Sequence, residues 1–180
     1  QIKRIMDAGA HCVIVPMVNT VLEAEVAVSA VRYPPLGTRS VGLARAQGYG
    51  AKFKDYLSWQ ESNPLVVVQI EHIIAVENLE AILSVEGVDA YIVGPYDLSG
   101  SLGIPGEFDR PEFLEAMARI RVVSKKLGKP GGVHIVEPNL EQLNQCIDDG
   151  NVFIAYGVDI RMIDTVCRIG VQAAFEASKT

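Results

Sequence analysis

Leu65-Val66-Val67-Val68-Gln69-Ile70 constrains the fold more than any other stretch: its apolar residues follow one another without polar alternation, and the three valines are all β-branched. A strand with one wet face alternates, so an unbroken run predicts a strand covered on both faces, as in a parallel sheet wrapped by helices. Four more runs share this character wholly or in part. Residues 11–15 close at Pro16, and Ala90-Tyr91-Ile92-Val93 closes at Gly94-Pro95; residues 131–135 are weakened by Gly131 and Gly132, and residues 152–156 close at Gly157. Segments of helical period lie between them: 1–9, 21–31 behind Thr20 as an N-cap, a short one through Phe53, Tyr56 and Leu57, 75–83, 113–127 introduced by Asp109, Pro111 and Glu112, 140–147, and 160–177. Five strands, each followed by a helix and free of repeats, predict one α/β domain over residues 1–180.

Composition narrows the function classes. The chain has 180 residues, 49% of them hydrophobic, enough for one buried core. A formal net charge of -6 with no Lys/Arg-rich run argues against a nucleic-acid partner. No apolar run approaches the roughly 20 residues of a membrane span and no secretory leader is visible, so no membrane partner and a cytoplasmic location are expected. Cys12, Cys146 and Cys167 are odd in number and far apart, which suits buried thiols in a reducing compartment rather than a zinc site. Helical period begins at Gln1 without an initiator methionine, so the chain reads as a portion of a longer protein.

Carboxylates mark two strand ends. In α/β folds ligands bind at the carboxyl ends of strands, and Glu71 and Asp97 both fall there, one crossover apart, so they point into the same space. Two readings stand for the pair: ordinary cap or salt-bridge residues, or, with Gln69 beside them, the oxygen ligands of a hard divalent cation such as Mg²⁺. Residues 33–49, rich in Gly, Pro, Arg and Ser, read as a long loop whose Arg39 and Arg45 are solvated, with an anionic substrate or a neighbouring subunit as the alternative. His72 reads as packed or solvent-facing before it reads as a neighbour of a metal. His11 and His134 read as structural, His134 having the better claim on a pocket because it closes a strand.

Several ordered motifs together resemble the HpcH/HpaI aldolase family of class II pyruvate aldolases, within the phosphoenolpyruvate/pyruvate superfamily. They are Asp7-Ala8-Gly9, Val15-Pro16-Met17-Val18, Arg32-Tyr33-Pro34-Pro35 through Gly37 and Arg39, Gln69-Ile70-Glu71, Val85-Glu86-Gly87-Val88-Asp89, and Gly94-Pro95-Tyr96-Asp97-Leu98-Ser99 with Leu102-Gly103. The resemblance implies a (β/α)₈ TIM barrel of which this chain supplies about the last five βα units. It also implies Glu71 and Asp97 as ligands of a divalent metal (Mg²⁺, Mn²⁺ or similar), and Gln69 on the pyruvate portion of the substrate. The backbone amides of Gly94 and Tyr96 would bracket the pyruvate carboxylate, since Pro95 has no amide hydrogen. Asp7 matches the aspartate that pairs with a histidine in an acid/base dyad.

The implied reaction is cleavage of a 4-hydroxy-2-oxo acid into pyruvate and an aldehyde through a metal-stabilised enolate, by a homo-oligomer, trimer or hexamer. Its alternatives are a related metal-enolate lyase, acting on citramalyl thioesters or decarboxylating oxaloacetate, and a non-catalytic truncated barrel serving as a binding or assembly module. The family's histidine and its enolate-stabilising arginine belong to strands before Asp7 and are not among these residues. His72 stands where relatives mostly carry Thr or Ser, and Tyr96 where Ala is frequent, so Tyr96 is expected to narrow the aldehyde side of the pocket. The apolar helix 160–177 is a candidate for swapping onto a neighbour, a core-packed helix giving the same pattern.

Overall fold

The computed structural model describes residues 1–179. They form two compact units that divide between Gly131 and Gly132. Unit one runs α1 (Ile2–Asp7), β1 (Cys12–Val15), α2 (Val21–Val31), a 3₁₀ segment (Arg45–Gly50), α3 (Phe53–Ser62), β2 (Leu65–Ile70), α4 (Ile73–Glu77), α5 (Leu79–Leu83), β3 (Ala90–Val93), α6 (Pro95–Ser101) and α7 (Pro111–Leu127). The second unit takes in nearly all of β4 (Gly131–Ile135), then α8 (Leu140–Asp148), β5 (Phe153–Tyr156) and α9 (Asp159–Ala177). All five expected strands are present.

In unit one β2 is central and parallel to both neighbours. Cys12 to Val15 pair with Leu65 to Val68, and Val67 to Ile70 pair with Ala90 to Val93. Val66, Val67 and Val68 are all buried although successive side chains point to opposite faces, so the unalternated run does mark a sheet covered on both sides. On the helical layer Ala24, Ala27 and Val31 of α2, Leu79, Ile82 and Leu83 of α5, and Phe113 and Ile120 of α7 are buried. Burying a large aliphatic or aromatic side chain contributes about 1.5–3 kcal/mol, which holds these helices to the sheet despite their short lengths. In the second unit β4 and β5 pair in parallel from Gly132↔Phe153 to Ile135↔Tyr156. Neither α8 nor α9 has a buried residue, and Ile160, Ile163, Val166, Ile169, Val171 and Phe175 of α9 are all exposed.

Three local expectations need correction. The helix expected over 75–83 begins earlier, at Ile73, and is broken at Asn78 (φ -93, ψ 7) into α4 and α5. Gly94-Pro95 ends a strand, as expected, yet Pro95 also opens α6, because a proline at the first helical position loses an amide hydrogen that has no intrahelical partner anyway. The loop 33–49 is not uniformly solvated. Arg45 is exposed and donates to Ala8 O (2.9 Å), whereas Arg39 is 2% exposed. Its guanidinium lies 4.1 Å from the Tyr33 ring centroid and donates to Tyr56 Oη at 2.9 Å, so stacking and one hydroxyl replace water.

Candidate active site

The carboxyl edge of β2 and β3 assembles three of the expected side chains. Glu71 follows the last residue of β2, and its side chain folds back beneath the start of α6. Its Oε1 accepts from Met17 N (2.8 Å), just past β1, and its Oε2 accepts from Gln69 Nε2 (2.6 Å). Gly94 makes this possible: a Cβ there would stand 2.6 Å from Glu71 Oε2 and 2.9 Å from Gln69 Nε2, far inside contact distance. Asp97, in the first turn of α6, meets the Glu71 carboxyl.

Glu71 is 4% exposed, and its carboxyl is pushed above the ordinary carboxylate range. Burial is the main cause and the charge of Asp97 adds to it, while the Met17 and Gln69 hydrogen bonds work in the opposite direction. Among the described residues neither acid has an ion-pair partner. Two juxtaposed carboxylates with no cation between them are an electrostatic cost that a hard divalent ion removes, and oxygen donors are what such an ion prefers. Among the described residues no cluster of three His, Cys, Asp or Glu side chains forms. Two protein ligands suit Mg²⁺, which keeps several waters and takes substrate oxygens.

Met17 belongs to this edge and was not foreseen. It holds φ +54, a left-handed conformation that costs a side-chain-bearing residue about 1–3 kcal/mol, and that conformation turns its amide onto Glu71. The turn residues Pro16-Met17 after a strand are the only signal, and they do not reveal the sign of φ.

The other expected residues separate. The Gly94 amide is not available for a carboxylate, because it donates to Ile70 O (3.2 Å) and so continues the β2–β3 ladder. Tyr96 N lies in the first turn of α6, where amides have no intrahelical acceptor. Asp7 lies at the opposite, amino edge: it ends α1, before Cys12 opens β1, and its Oδ2 pairs with Lys3. The structure therefore does not bring Asp7 together with Glu71 and Asp97, and its Oδ1 is buried without a partner. His72 caps α4, its Nδ1 accepting from Ile74 N (3.2 Å). His11 is exposed and tilted against Trp59, with ring centroids 5.2 Å apart. His134, within the second unit, lies 3.4 Å from Gly157 O. All three cysteines are free thiols, Cys12 and Cys146 half-buried and Cys167 exposed, so none is fully buried, contrary to the expectation. No helix among the described residues is long and apolar enough to cross a membrane.

Among curated proteins, a 2-keto-3-deoxy-L-rhamnonate aldolase of Salmonella dublin is 41% identical over 160 residues, 88% of this chain and 59% of that protein. The chain thus spans about three-fifths of such a relative. An HpcH/HpaI aldolase/citrate lyase family protein of Burkholderia cenocepacia J2315 superposes with a TM-score of 0.90 at 31% identity, covering 96% of this chain and 68% of that one. The HpcH/HpaI aldolase of Desulfitobacterium hafniense DCB-2 gives 0.86 at 27% identity, covering 97% and 67%. The βα units are accordingly a part of the (β/α)₈ barrel of these proteins. With the HpcH/HpaI aldolase/citrate lyase profile matching residues 1–164, this chain belongs to that family.

Proposed function

We propose that the full protein is a divalent-metal-dependent class II lyase of the aldehyde-lyase type, cleaving a 4-hydroxy-2-oxo acid into pyruvate and an aldehyde. The observation that carries this is the meeting of Glu71 and Asp97 on adjacent strand ends, neither with an ion-pair partner among the described residues. Glu71 and Asp97 would hold Mg²⁺ or Mn²⁺, which when bound supplies the positive charge that stabilises a pyruvate enolate. The protein's own residues do the rest. Gln69 fixes Glu71 through one amide hydrogen and keeps a carbonyl oxygen and a second amide hydrogen for the 2-oxo acid. Tyr96 N is the remaining backbone donor for the pyruvate carboxylate. Met17 N and Gln69 Nε2 hold the Glu71 carboxylate in one place, in room that Gly94 leaves open, so little reorganisation accompanies charge development.

The acid/base step needs a group outside this cluster. A dyad role for Asp7 requires a histidine delivered to the amino edge, and the partnerless Asp7 Oδ1 supports such a donor. We take the chain as part of one catalytic domain of a cytoplasmic homo-oligomer, trimer or hexamer, for which the exposed apolar stripe of α9 is the supporting observation. Retro-aldol turnover by the full-length protein with and without a chelator tests the proposal. Loss on chelation and recovery with Mg²⁺ or Mn²⁺ is expected, and turnover that survives complete metal removal overturns it. Parallel assays on oxaloacetate and acyl-thioester substrates separate an aldolase from other enolate-forming lyases.

A further inference from the structure

We propose that Ser101 is a positioning residue for the candidate metal site: its hydroxyl ties the helix that carries Asp97 to the segment that carries Glu71, fixes the separation of the two carboxyls, and so favours Mg²⁺ over the larger Ca²⁺. This deepens the metal reading of Glu71 and Asp97 above and rests on it. Two hydrogen bonds join the carriers, and they flank both acids. On the β2 side, Ile70 O accepts from Gly94 N (3.2 Å) just before Glu71, and Ile73 N donates to Ser101 Oγ (2.9 Å) just after it. On the other side the same bonds fall at Gly94, the N-cap of α6, and at Ser101, its last residue, with Asp97 between them.

The far bond matters because α6 has only 7 residues, too few to be held by its own hydrogen bonds. Leu98 and Ser99 are fully buried and decide which face of α6 turns inward, but burial is non-directional and does not set the tilt. Held at Gly94 alone, the helix would tilt about the strand end and carry Asp97 with it. The Ser101 hydroxyl is suited to prevent this. Its proton goes to Leu98 O (2.7 Å), which fixes the side chain against its own helix and leaves a lone pair for Ile73 N. Ile73 opens α4, where amides have no intrahelical acceptor, and the cap side chain of His72 takes Ile74 N (3.2 Å) instead. One hydroxyl therefore completes the start of α4 and anchors the end of α6.

Separation of the two carboxyls bears on which ion they suit. Mg²⁺ demands near-ideal octahedral geometry with oxygens at about 2.0–2.1 Å, whereas Ca²⁺ accepts irregular arrangements at about 2.3–2.6 Å. Two carboxyls held at a fixed spacing meet the strict ion, and two that drift serve the tolerant one nearly as well. Glu71 is pinned on its own side by Met17 N and Gln69 Nε2, so any slack in the pair is slack in α6. Cutting the Ser101 tie therefore weakens Mg²⁺ and spares Ca²⁺. A general loss of stability does not separate the two ions in this way.

The test titrates the full-length protein with Mg²⁺ and with Ca²⁺ alone, by calorimetry, the site being the binding that Asp97→Asn removes. Ser101→Ala raises the Mg²⁺ Kd about tenfold, the lower range for groups that orient metal ligands, and leaves the Ca²⁺ Kd within about twofold. Ser101→Thr keeps the hydroxyl and holds both constants within about twofold of the parent. Asp89→Ala, which loses a hydrogen bond at the amino edge, leaves their ratio unchanged. In the metal-free protein, hydrogen exchange of the Ile73 amide is faster in Ser101→Ala and restored in Ser101→Thr. A ratio of the two constants that Ser101→Ala leaves as in the parent overturns the inference, as does an equal shift in Asp89→Ala, the mark of general damage. A parent protein that shows no such binding for either ion overturns the metal reading itself, and this inference with it.

Discussion

The two edges of the β1–β3 sheet use the same residue types in opposite ways. At the amino edge, acids and bases find partners within the chain: Asp7 pairs with Lys3, Arg45 donates to Ala8 O, and Lys129 donates to Val88 O. Asp89 is bound twice, its Oδ2 accepting from Val66 N (2.7 Å) and its amide donating to Val66 O (2.9 Å). At the carboxyl edge, Glu71 and Asp97 face each other and neither has an ion-pair partner among the described residues. The contrast separates two uses of charge: the pairs matched within the chain at the amino edge serve stability, whereas the surplus negative charge of Glu71 and Asp97 at the carboxyl edge suits a cation.

Removing charge from the carboxyl edge should give the largest effect. Asp97→Asn in the full-length protein is expected to lower metal-dependent kcat by about 10²- to 10³-fold while leaving the melting temperature unchanged or higher. Steady-state kinetics and calorimetric metal titration check both halves, and equal activity with asparagine would remove Asp97 from the site. Gly94→Ala comes next. Its Cβ would occupy the space of Glu71 Oε2, so metal affinity should fall about 10- to 100-fold through displacement of a carboxylate that alanine never touches chemically. At the amino edge, Asp89→Ala should instead destabilise by about 1–3 kcal/mol, because the Val66 amide loses its acceptor, and kcat should not change. Denaturant unfolding beside an activity assay would show whether the two edges separate in this way.

Much of this was legible in the sequence because it depends on pattern. The unalternated Val66-Val67-Val68 run fixes a covered strand, and Glu71 and Asp97 follow as strand-end acids one crossover apart, whatever the details of packing. What escaped depends on backbone geometry or on distant partners. Met17 takes its left-handed turn to reach a carboxylate 54 residues away, and nothing local announces that. Gly94 was matched through the family motif, which does not reveal that its amide donates to Ile70 O and carries the ladder one residue further. Arg39 looked like a solvated loop charge because its aromatic neighbours, Tyr33 and Tyr56, come together only when α3 packs. Asp7 was matched by motif, and a motif carries no information about which end of the sheet a helix terminus occupies.

The smallest expected effect tests the electrostatic argument most directly. An acid whose carboxyl sits above its unfolded value binds protons more tightly when folded, so its contribution to stability is full at low pH and is lost as pH rises through the raised value. Glu71 is such a group, by burial first and by Asp97 second. Glu71→Gln keeps the site neutral at every pH, and Gln69 can rotate its amide to meet the new one. In the absence of metal, variant and parent should therefore melt together near pH 4, about the ordinary carboxylate range, and the variant should melt higher at neutral pH. Saturating Mg²⁺ should close or reverse that gap by stabilising the parent alone. Scanning calorimetry across pH, with and without Mg²⁺, measures both. A parent that melts higher than the variant at neutral pH without metal would mean that Glu71 is already compensated within the chain, and the contrast between the two edges would fail.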